Sequence, residues 1–148
     1  MSEYIIKIIP SDPYFQITEQ KAQKIVQFIK QNVKADLVKV DMQESPAFID
    51  CGANLESISC PHCAELLDFG WWGDVMSKAA ENNFMDLSIK LPCCGLDSTL
   101  NDLIYYFPCG FSCVEFAIMN PENDINDSLL SELQKLLEIT ICVIHAHI

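Results

Sequence analysis

The chain has no arginine, and its nine lysines supply all of the fixed positive charge against 21 acidic residues, giving a formal net charge of −12. Phosphate backbones are bound by clustered lysine and arginine, and planar bidentate contacts need the arginine guanidinium. We therefore expect no nucleic-acid partner. The chain also has only five glycines, with no glycine-rich phosphate loop, and only three histidines, too few for a histidine-rich catalytic metal site.

Long apolar runs are missing as well. No stretch approaches the roughly 18 apolar residues that a membrane-spanning helix needs, so we expect no membrane association. Residues 1–4 lack the basic start of a secretory signal, and Lys7 interrupts the apolar run that follows. We therefore expect a cytoplasmic protein. At 148 residues, half of them apolar, the chain is long enough for one domain with a substantial core.

The negative charge is concentrated in the middle of the sequence. Residues 41–107 contain eleven acidic residues and two lysines. Such an imbalance is typical of a solvated surface, which is the simpler interpretation. The alternative is a face that receives a basic protein partner.

The first part of the chain predicts a β-α-β unit. Residues 4–9 and 37–40 are rich in β-branched residues and predict strands. Between them, apolar residues at helical spacing predict a helix that begins after an N-cap at Thr18 and runs to about Asn32.

The last part predicts a second β-α-β unit. Residues 113–119 and 139–146 predict strands around a helix capped by Asn126 or Asp127. The apolar stripe of that helix consists of Leu129, Leu130, Leu133, Leu136 and Leu137. Two such units with right-handed crossovers predict an α+β fold of the ferredoxin-like split βαβ type, with two helices on one face of a four-stranded antiparallel sheet. The alternative is an α+β fold in which strands from the middle join the same sheet.

Residues 41–107 are predicted to lack any long regular element. One helical face is formed by Trp72, Val75, Met76 and Ala79. Residues 87–91 predict a strand, and Ser98 predicts the cap of a short helix that holds Leu100 and Leu103. Small elements of this kind are typical of segments tied together by a structural metal. We therefore predict one domain, 1–148, with a zinc-ribbon-like subdomain inserted at 41–107.

Eight cysteines give the sharpest chemical signal in the sequence. They are Cys51, Cys60, Cys63, Cys93, Cys94, Cys109, Cys113 and Cys142. In a cytosolic protein, closely spaced cysteines indicate metal binding or redox chemistry rather than disulfides. The pair in Cys60-Pro-His-Cys63 and the adjacent Cys93 and Cys94 predict a tetrahedral thiolate shell for one structural zinc ion.

The second cysteine pair is unusual. In a zinc knuckle the two ligands lie three residues apart, but Leu91 stands three before Cys94, so Cys93 would have to reach the metal from the adjacent position. Cys94 is therefore the safer ligand. The reserve ligands are Cys51, Cys109, Cys113 and His62. Four ligands make a closed shell, which favours a structural site over a catalytic one, with zinc or iron as the metal.

Redox chemistry is the main alternative. A Cys-Pro-His-Cys motif also occurs in thiol oxidants of the thioredoxin fold, where the first cysteine is a low-pKa thiolate at a helix N-terminus. Residues 64–67 could open such a helix, but residues 54–59 are not the buried apolar strand that this fold needs. A thiol–disulfide oxidoreductase using Cys60 and Cys63 is thus the second hypothesis. A metal-dependent hydrolase, with water in place of one cysteine, is the third.

Several stretches accompany the cysteine pairs. They are Trp71 to Asp74, Leu91 to Gly95, Ser98 to Tyr105, Pro108 to Phe111, and Asn120-Pro121. With Cys60 to Cys63, this pattern covers about the middle half of the chain and resembles a set of small uncharacterised bacterial proteins with a zinc-ribbon-like motif. The resemblance implies no activity. It implies that the four cysteines at 60, 63, 93 and 94 act as a set, and it leaves Cys109 and Cys113 outside the motif.

Other candidate groups have simpler interpretations. His145 and His147 share one face of the last strand and could form a second metal site or an acid–base pair with Glu115, although an exposed strand end is the favoured interpretation. Aromatic residues at 71–72 and 105–107 could line a ligand pocket but are favoured as local core. The sequence thus favours an acidic, zinc-stabilised binding or interaction protein without catalysis. A basic protein is the partner that the alternative interpretation of its negative charge suggests.

Overall fold

A computed structural model describes residues 3–147, which form three helices and eight strands. In chain order these are β1 (Tyr4–Pro10), α1 (Glu19–Asn32), β2 (Leu37–Ile49), β3 (Ser57–Ser59), α2 (Phe69–Ala80), β4 (Ser88–Lys90), β5 (Asp97–Thr99), β6 (Ile104–Tyr106), β7 (Gly110–Met119), α3 (Asp127–Leu137) and β8 (Ile141–His147). The predicted α+β class is confirmed. No helix within residues 3–147 is long and apolar enough to cross a membrane.

Four strands form one antiparallel sheet in the order β2-β7-β1-β8. These are the strands of the two predicted β-α-β units, so the two ends of the chain build the main sheet together. The other four strands form two separate small antiparallel pairs, β3 with β6 and β4 with β5. The strands β3 to β6 therefore lie outside the main sheet. The alternative fold, in which middle strands join that sheet, is not what the structure shows.

Both helices of the β-α-β units begin at polar caps. The Thr18 side chain accepts a hydrogen bond from the Lys21 N–H at 3.1 Å, and the Asn126 side chain accepts one from the Leu129 N–H at 2.8 Å. Each bond satisfies an N–H group that has no partner inside the helix. The predicted caps are confirmed, with Asn126 rather than Asp127 in that role.

The two helices pack on one face of the main sheet. Ile29 of α1 and Leu133 of α3 are fully buried against Ile8 and Phe116 of the sheet. Burial of side chains of this size stabilises the fold by about 2 kcal/mol each. This layer forms a hydrophobic core of its own.

The middle segment packs on the opposite face. Ile8 and Ile9 are consecutive in β1 and so point to opposite sides of the sheet. Ile9 belongs to a second buried cluster that also contains Leu91, Leu100 and Ile144. The molecule therefore has three layers, in which the sheet separates the two helices from the middle segment.

The prediction that residues 41–107 lack any long regular element is wrong. β2 continues to Ile49, and its pairing with β7 shifts register between Met42 and Ala47. β2 is an edge strand, and an edge tolerates Pro46 and a bulge because one side needs no ladder hydrogen bonds. Sequence alternation is lost at the bulge, although the strand persists beyond it.

The helical face predicted at Trp72, Val75, Met76 and Ala79 is confirmed. It belongs to α2, a regular helix of 12 residues begun by Asp68, whose side chain accepts from the Trp71 N–H at 3.1 Å. The short helix predicted after Ser98 is absent, because Ser98 lies in β5. The turn that follows is held by Thr99, whose hydroxyl oxygen accepts from the Asp102 N–H at 3.2 Å. The two leucines assigned to the predicted helix are nevertheless buried.

Two leucines of the predicted apolar stripe of α3 differ in burial. Leu133 is fully buried, whereas Leu136 is 42 % exposed. We expect Leu133→Ala to lower the free energy of unfolding by about 2–5 kcal/mol, because it leaves a cavity in the core. Leu136→Ala is the matched control, with an expected change within about 0.5 kcal/mol. Urea unfolding followed by circular dichroism measures both, and equal losses would contradict this packing.

Candidate metal centre

The first cysteine pair lies in a tight turn directly after β3. The Ala64 N–H donates to the Cys60 carbonyl at 3.0 Å, and Ala64 has a positive φ of 64°. The N–H groups of His62 and Cys63 point at the Cys60 sulfur at 3.3 and 3.4 Å. The turn therefore presents a sulfur that backbone donors already stabilise as an anion.

The second turn repeats this backbone pattern after β4. The Gly95 N–H donates to the Leu91 carbonyl at 2.9 Å, and Gly95 has a positive φ of 73°. Leu91 thus occupies the place that Cys60 has in the first turn, and its side chain is buried. Cys94 corresponds to Cys63. Cys93 supplies the sulfur that the leucine cannot, from the position next to Cys94.

The two turns bring all four predicted sulfurs together. The Cys60 and Cys94 sulfurs are 3.9 Å apart, the Cys63 and Cys93 sulfurs are 3.5 Å apart, and all four lie within 4.8 Å of one another. A tetrahedral zinc ion with Zn–S bonds of about 2.3 Å holds its sulfurs about 3.8 Å apart. The cluster therefore has the size and donor chemistry that such an ion needs, and it could hold a metal ion.

The thiols of the cluster influence one another. Burial raises the pKa of the Cys60 thiol, but the N–H groups of Cys63 and His62, together with the Cys63 and Cys93 thiols, outweigh this effect and lower the pKa to about 6. For Cys93, burial and hydrogen bonds with neighbouring thiols raise the pKa to about 12. The surroundings thus favour the thiolate form at Cys60 and disfavour it at Cys93. A divalent cation supplies the positive charge that further thiolates require.

The reserve ligands lie elsewhere. The His62 ring nitrogen Nε2 lies 3.2 Å from the Asp97 carbonyl oxygen. Cys113 is buried in the core on the helix side. Within residues 3–147, no other group of three or more Cys, His, Asp or Glu side chains is arranged to hold a metal ion.

Cys51 and Cys109 form a second thiol pair that the sequence did not reveal. Their sulfurs are 3.3 Å apart, and both lie near the Phe107 carbonyl, at 3.7 and 3.5 Å. Burial raises the pKa of the Cys109 thiol well above its ordinary value. Ile49 of β2 pairs with Gly110 of β7, and this pairing brings the two cysteines together. The sequence could not reveal the thiol pair, because the register of the two strands is not visible in it.

The histidine hypotheses are not supported by the geometry. Tyr4 stacks on both His145 and His147, and its hydroxyl is hydrogen-bonded to His145 Nδ1. His145 pairs with Ile6 in β1, whereas Glu115 lies on the face of Lys7, the opposite side of the sheet. The proposed acid–base pair therefore does not form.

The aromatic residues divide between core and surface. The Trp72 indole N–H donates to the Tyr105 hydroxyl at 3.2 Å, and that hydroxyl donates to the Leu100 carbonyl at 2.7 Å. These two rings are local core, as favoured from the sequence. Tyr106 and Phe107, in contrast, are exposed and stack on each other with ring centroids 4.8 Å apart.

Comparisons of the chain with protein-family models, with curated proteins and with solved structures give no match. The resemblance to small bacterial proteins with a zinc-ribbon-like motif therefore stays a prediction.

The position of Leu91 makes Cys93 the decisive ligand to test. We expect Cys93→Ser and Cys94→Ser each to lower zinc affinity by 10-fold or more, roughly what loss of one supporting group at a metal site costs. Cys109→Ser and Cys113→Ser, which also remove a thiol, should leave one zinc per chain. Competition with a chromophoric chelator measures all four variants. Normal affinity in Cys93→Ser together with loss in Cys109→Ser would show that the ligand set is wrong.

Proposed function

We propose that this protein is a non-catalytic binding or interaction module whose middle segment is held by one structural zinc ion on Cys60, Cys63, Cys93 and Cys94. The observation that carries the proposal is the convergence of four sulfurs from two turns. Four sulfurs complete a tetrahedral shell and leave no position for substrate or water. This also weighs against the hydrolase hypothesis.

The proposal includes a specific fold type for the sheet and for the middle segment. The order β2-β7-β1-β8 with two helices on one face supports a ferredoxin-like split βαβ sheet. The paired turns after β3 and β4 support a zinc-ribbon-like insertion. Zinc is favoured over iron because a closed thiolate shell at the surface suits a structural ion that has no redox chemistry.

The oxidoreductase alternative is less well supported. An exchange-active cysteine needs to be accessible and to lie at a helix N-terminus. Cys60 is fully buried, and the nearest helix, α2, begins only at Phe69. The sulfur pairs at 3.9 and 3.5 Å also join the two turns, Cys60 with Cys94 and Cys63 with Cys93.

A basic protein in the cytoplasm is the partner that the charge distribution favours. The segment 41–107 carries eleven acidic residues and two lysines. Only four ion pairs occur within residues 3–147, and those that touch this segment involve Asp41 and Asp50. Most of its carboxylates are therefore available to an opposite charge, while the absence of arginine disfavours nucleic acid.

A pull-down at low salt tests this proposal. Immobilised zinc-loaded protein should retain a small set of basic proteins that elute as the salt concentration rises. The control bait is Cys60→Ser with Cys94→Ser, which has the same formal charge but is expected to lose the metal and the shape of the middle segment. Capture of no basic protein would contradict the proposal, as would identical capture by both baits.

A further inference from the structure

An exposed apolar surface lies beside the metal centre, on the outer side of β3 and β6. Ser59 of β3 pairs with Ile104 of β6 on one side and with Leu66 on the other. Ser57 pairs with Tyr106. Paired residues point to the same face, so these five side chains form one surface, named here the β3 trough.

The shape of the β3 trough follows from its side chains. Small serines form the floor along β3, and larger apolar side chains stand on both margins. Neighbouring strands are about 4.8 Å apart, so the row from Leu66 to Ile104 spans about 10 Å. That width accommodates one segment of another protein chain.

The apolar margins are unusually exposed. The exposed fractions are 71 % for Leu66, 51 % for Ile104 and 54 % for Tyr106. The opposite face of the same strands is buried through Ile58 and Tyr105. Single exposed apolar residues are common, but several side by side on one sheet face mark an interaction surface.

The surroundings of the trough are negatively charged. Its residues come from two stretches, 45–77 and 91–134, that contain no lysine, in a chain that has no arginine. Exposed carboxylates adjoin it in the sequence at Glu56, Glu65 and Asp102. None of the ion pairs within residues 3–147 involves these three residues. The trough therefore presents apolar side chains in a part of the chain where these exposed negative charges are unpaired by lysine.

We propose that the β3 trough docks a lysine- or arginine-rich segment of a partner protein, which places an apolar side chain between Leu66 and Ile104. The basic side chains of the segment face the neighbouring carboxylates. This inference rests on the proposed interaction function and assigns that function to one surface. A second copy of the chain is a poor occupant, because two surfaces with the same negative charge repel each other.

The metal centre and the trough are directly connected. Cys60 follows Ser59 and donates its N–H to the Glu65 carbonyl at 2.9 Å, which places Leu66 beside β3. Closure of this turn therefore sets one margin of the trough. A structural ion on the turn would act on binding by keeping that margin in place.

The experiment uses a fluorescent peptide, Lys-Lys-Leu-Lys-Lys-Phe-Lys-Lys, and a peptide of equal charge in which serine replaces leucine and phenylalanine. Anisotropy titrations compare the zinc-loaded protein with the double variant Ile104→Ser, Tyr106→Ser. We expect the double variant to bind the first peptide at least about tenfold more weakly, since buried aromatic and aliphatic anchors dominate such contacts. The control, Leu37→Ser with Leu136→Ser, removes exposed leucines elsewhere and should change affinity less than about twofold.

A second measurement needs no variant. Amide NMR shifts of the wild-type protein on peptide addition should change at Ser57, Ser59, Ile104 and Tyr106. Equal binding of the two peptides, or shifts spread over the whole acidic surface, would overturn the proposal in favour of charge alone. A wild-type dimer that the trough variant converts to a monomer would also overturn it, because a second copy would then be the occupant.

Zinc content, measured in parallel, distinguishes failure of the trough proposal from failure of the proposed function. Peptide binding independent of the trough, in a chain that retains one zinc, contradicts only the trough. Absence of zinc from the wild-type protein contradicts the proposed function itself.

Discussion

Four sulfurs drawn into contact by two turns are the constraint on which the middle of this molecule depends. Four thiolates within 4.8 Å of one another repel unless a cation lies between them. The elements around them are small, since β3, β4, β5 and β6 have three residues each and α2 has no fully buried side chain. Local hydrogen bonding alone does not hold elements of this size in water. The buried cluster that contains Ile58, Leu91 and Leu100 holds these elements, and the proposed metal ion would add a second tie at the cysteines.

The rest of the fold rests on a different interaction. α1 and α3 cover one face of the main sheet with a core to which none of the middle elements β3 to β6 contributes. The middle segment attaches to the other face through a second core around Ile9 and Phe111. The sheet is thus shared by two cores, and the candidate metal centre lies in the layer that carries the exposed β3 trough. The surface proposed for a partner thus lies in the layer on the side of the sheet opposite the two helices.

Prediction from the sequence was correct for features with a recognisable residue pattern. The two β-α-β units show helical or strand periodicity, the Thr18 and Asn126 caps stand at the starts of periodic helices, and the convergence of the four cysteines follows from their close spacing in two pairs. The extension of β2 was missed because it depends on its neighbour β7, which carries the pairing across a bulge. Strands of three residues alternate too briefly to show which face is buried, so the exposure of Ile104 and Tyr106 was not predicted. Spacing alone placed Leu91 three residues before Cys94, and the backbone hydrogen bonds show that it occupies in the second turn the place of Cys60 in the first.

Elemental analysis of the purified protein, combined with titration of reactive thiols before and after chelation, tests directly whether the four cysteines hold a structural metal. We expect one zinc per chain and four thiols that become reactive when the chelator removes it. Zinc-free protein in which Cys60 and Cys63 form a reducible disulfide would contradict the structural metal centre and make thiol–disulfide exchange the working model.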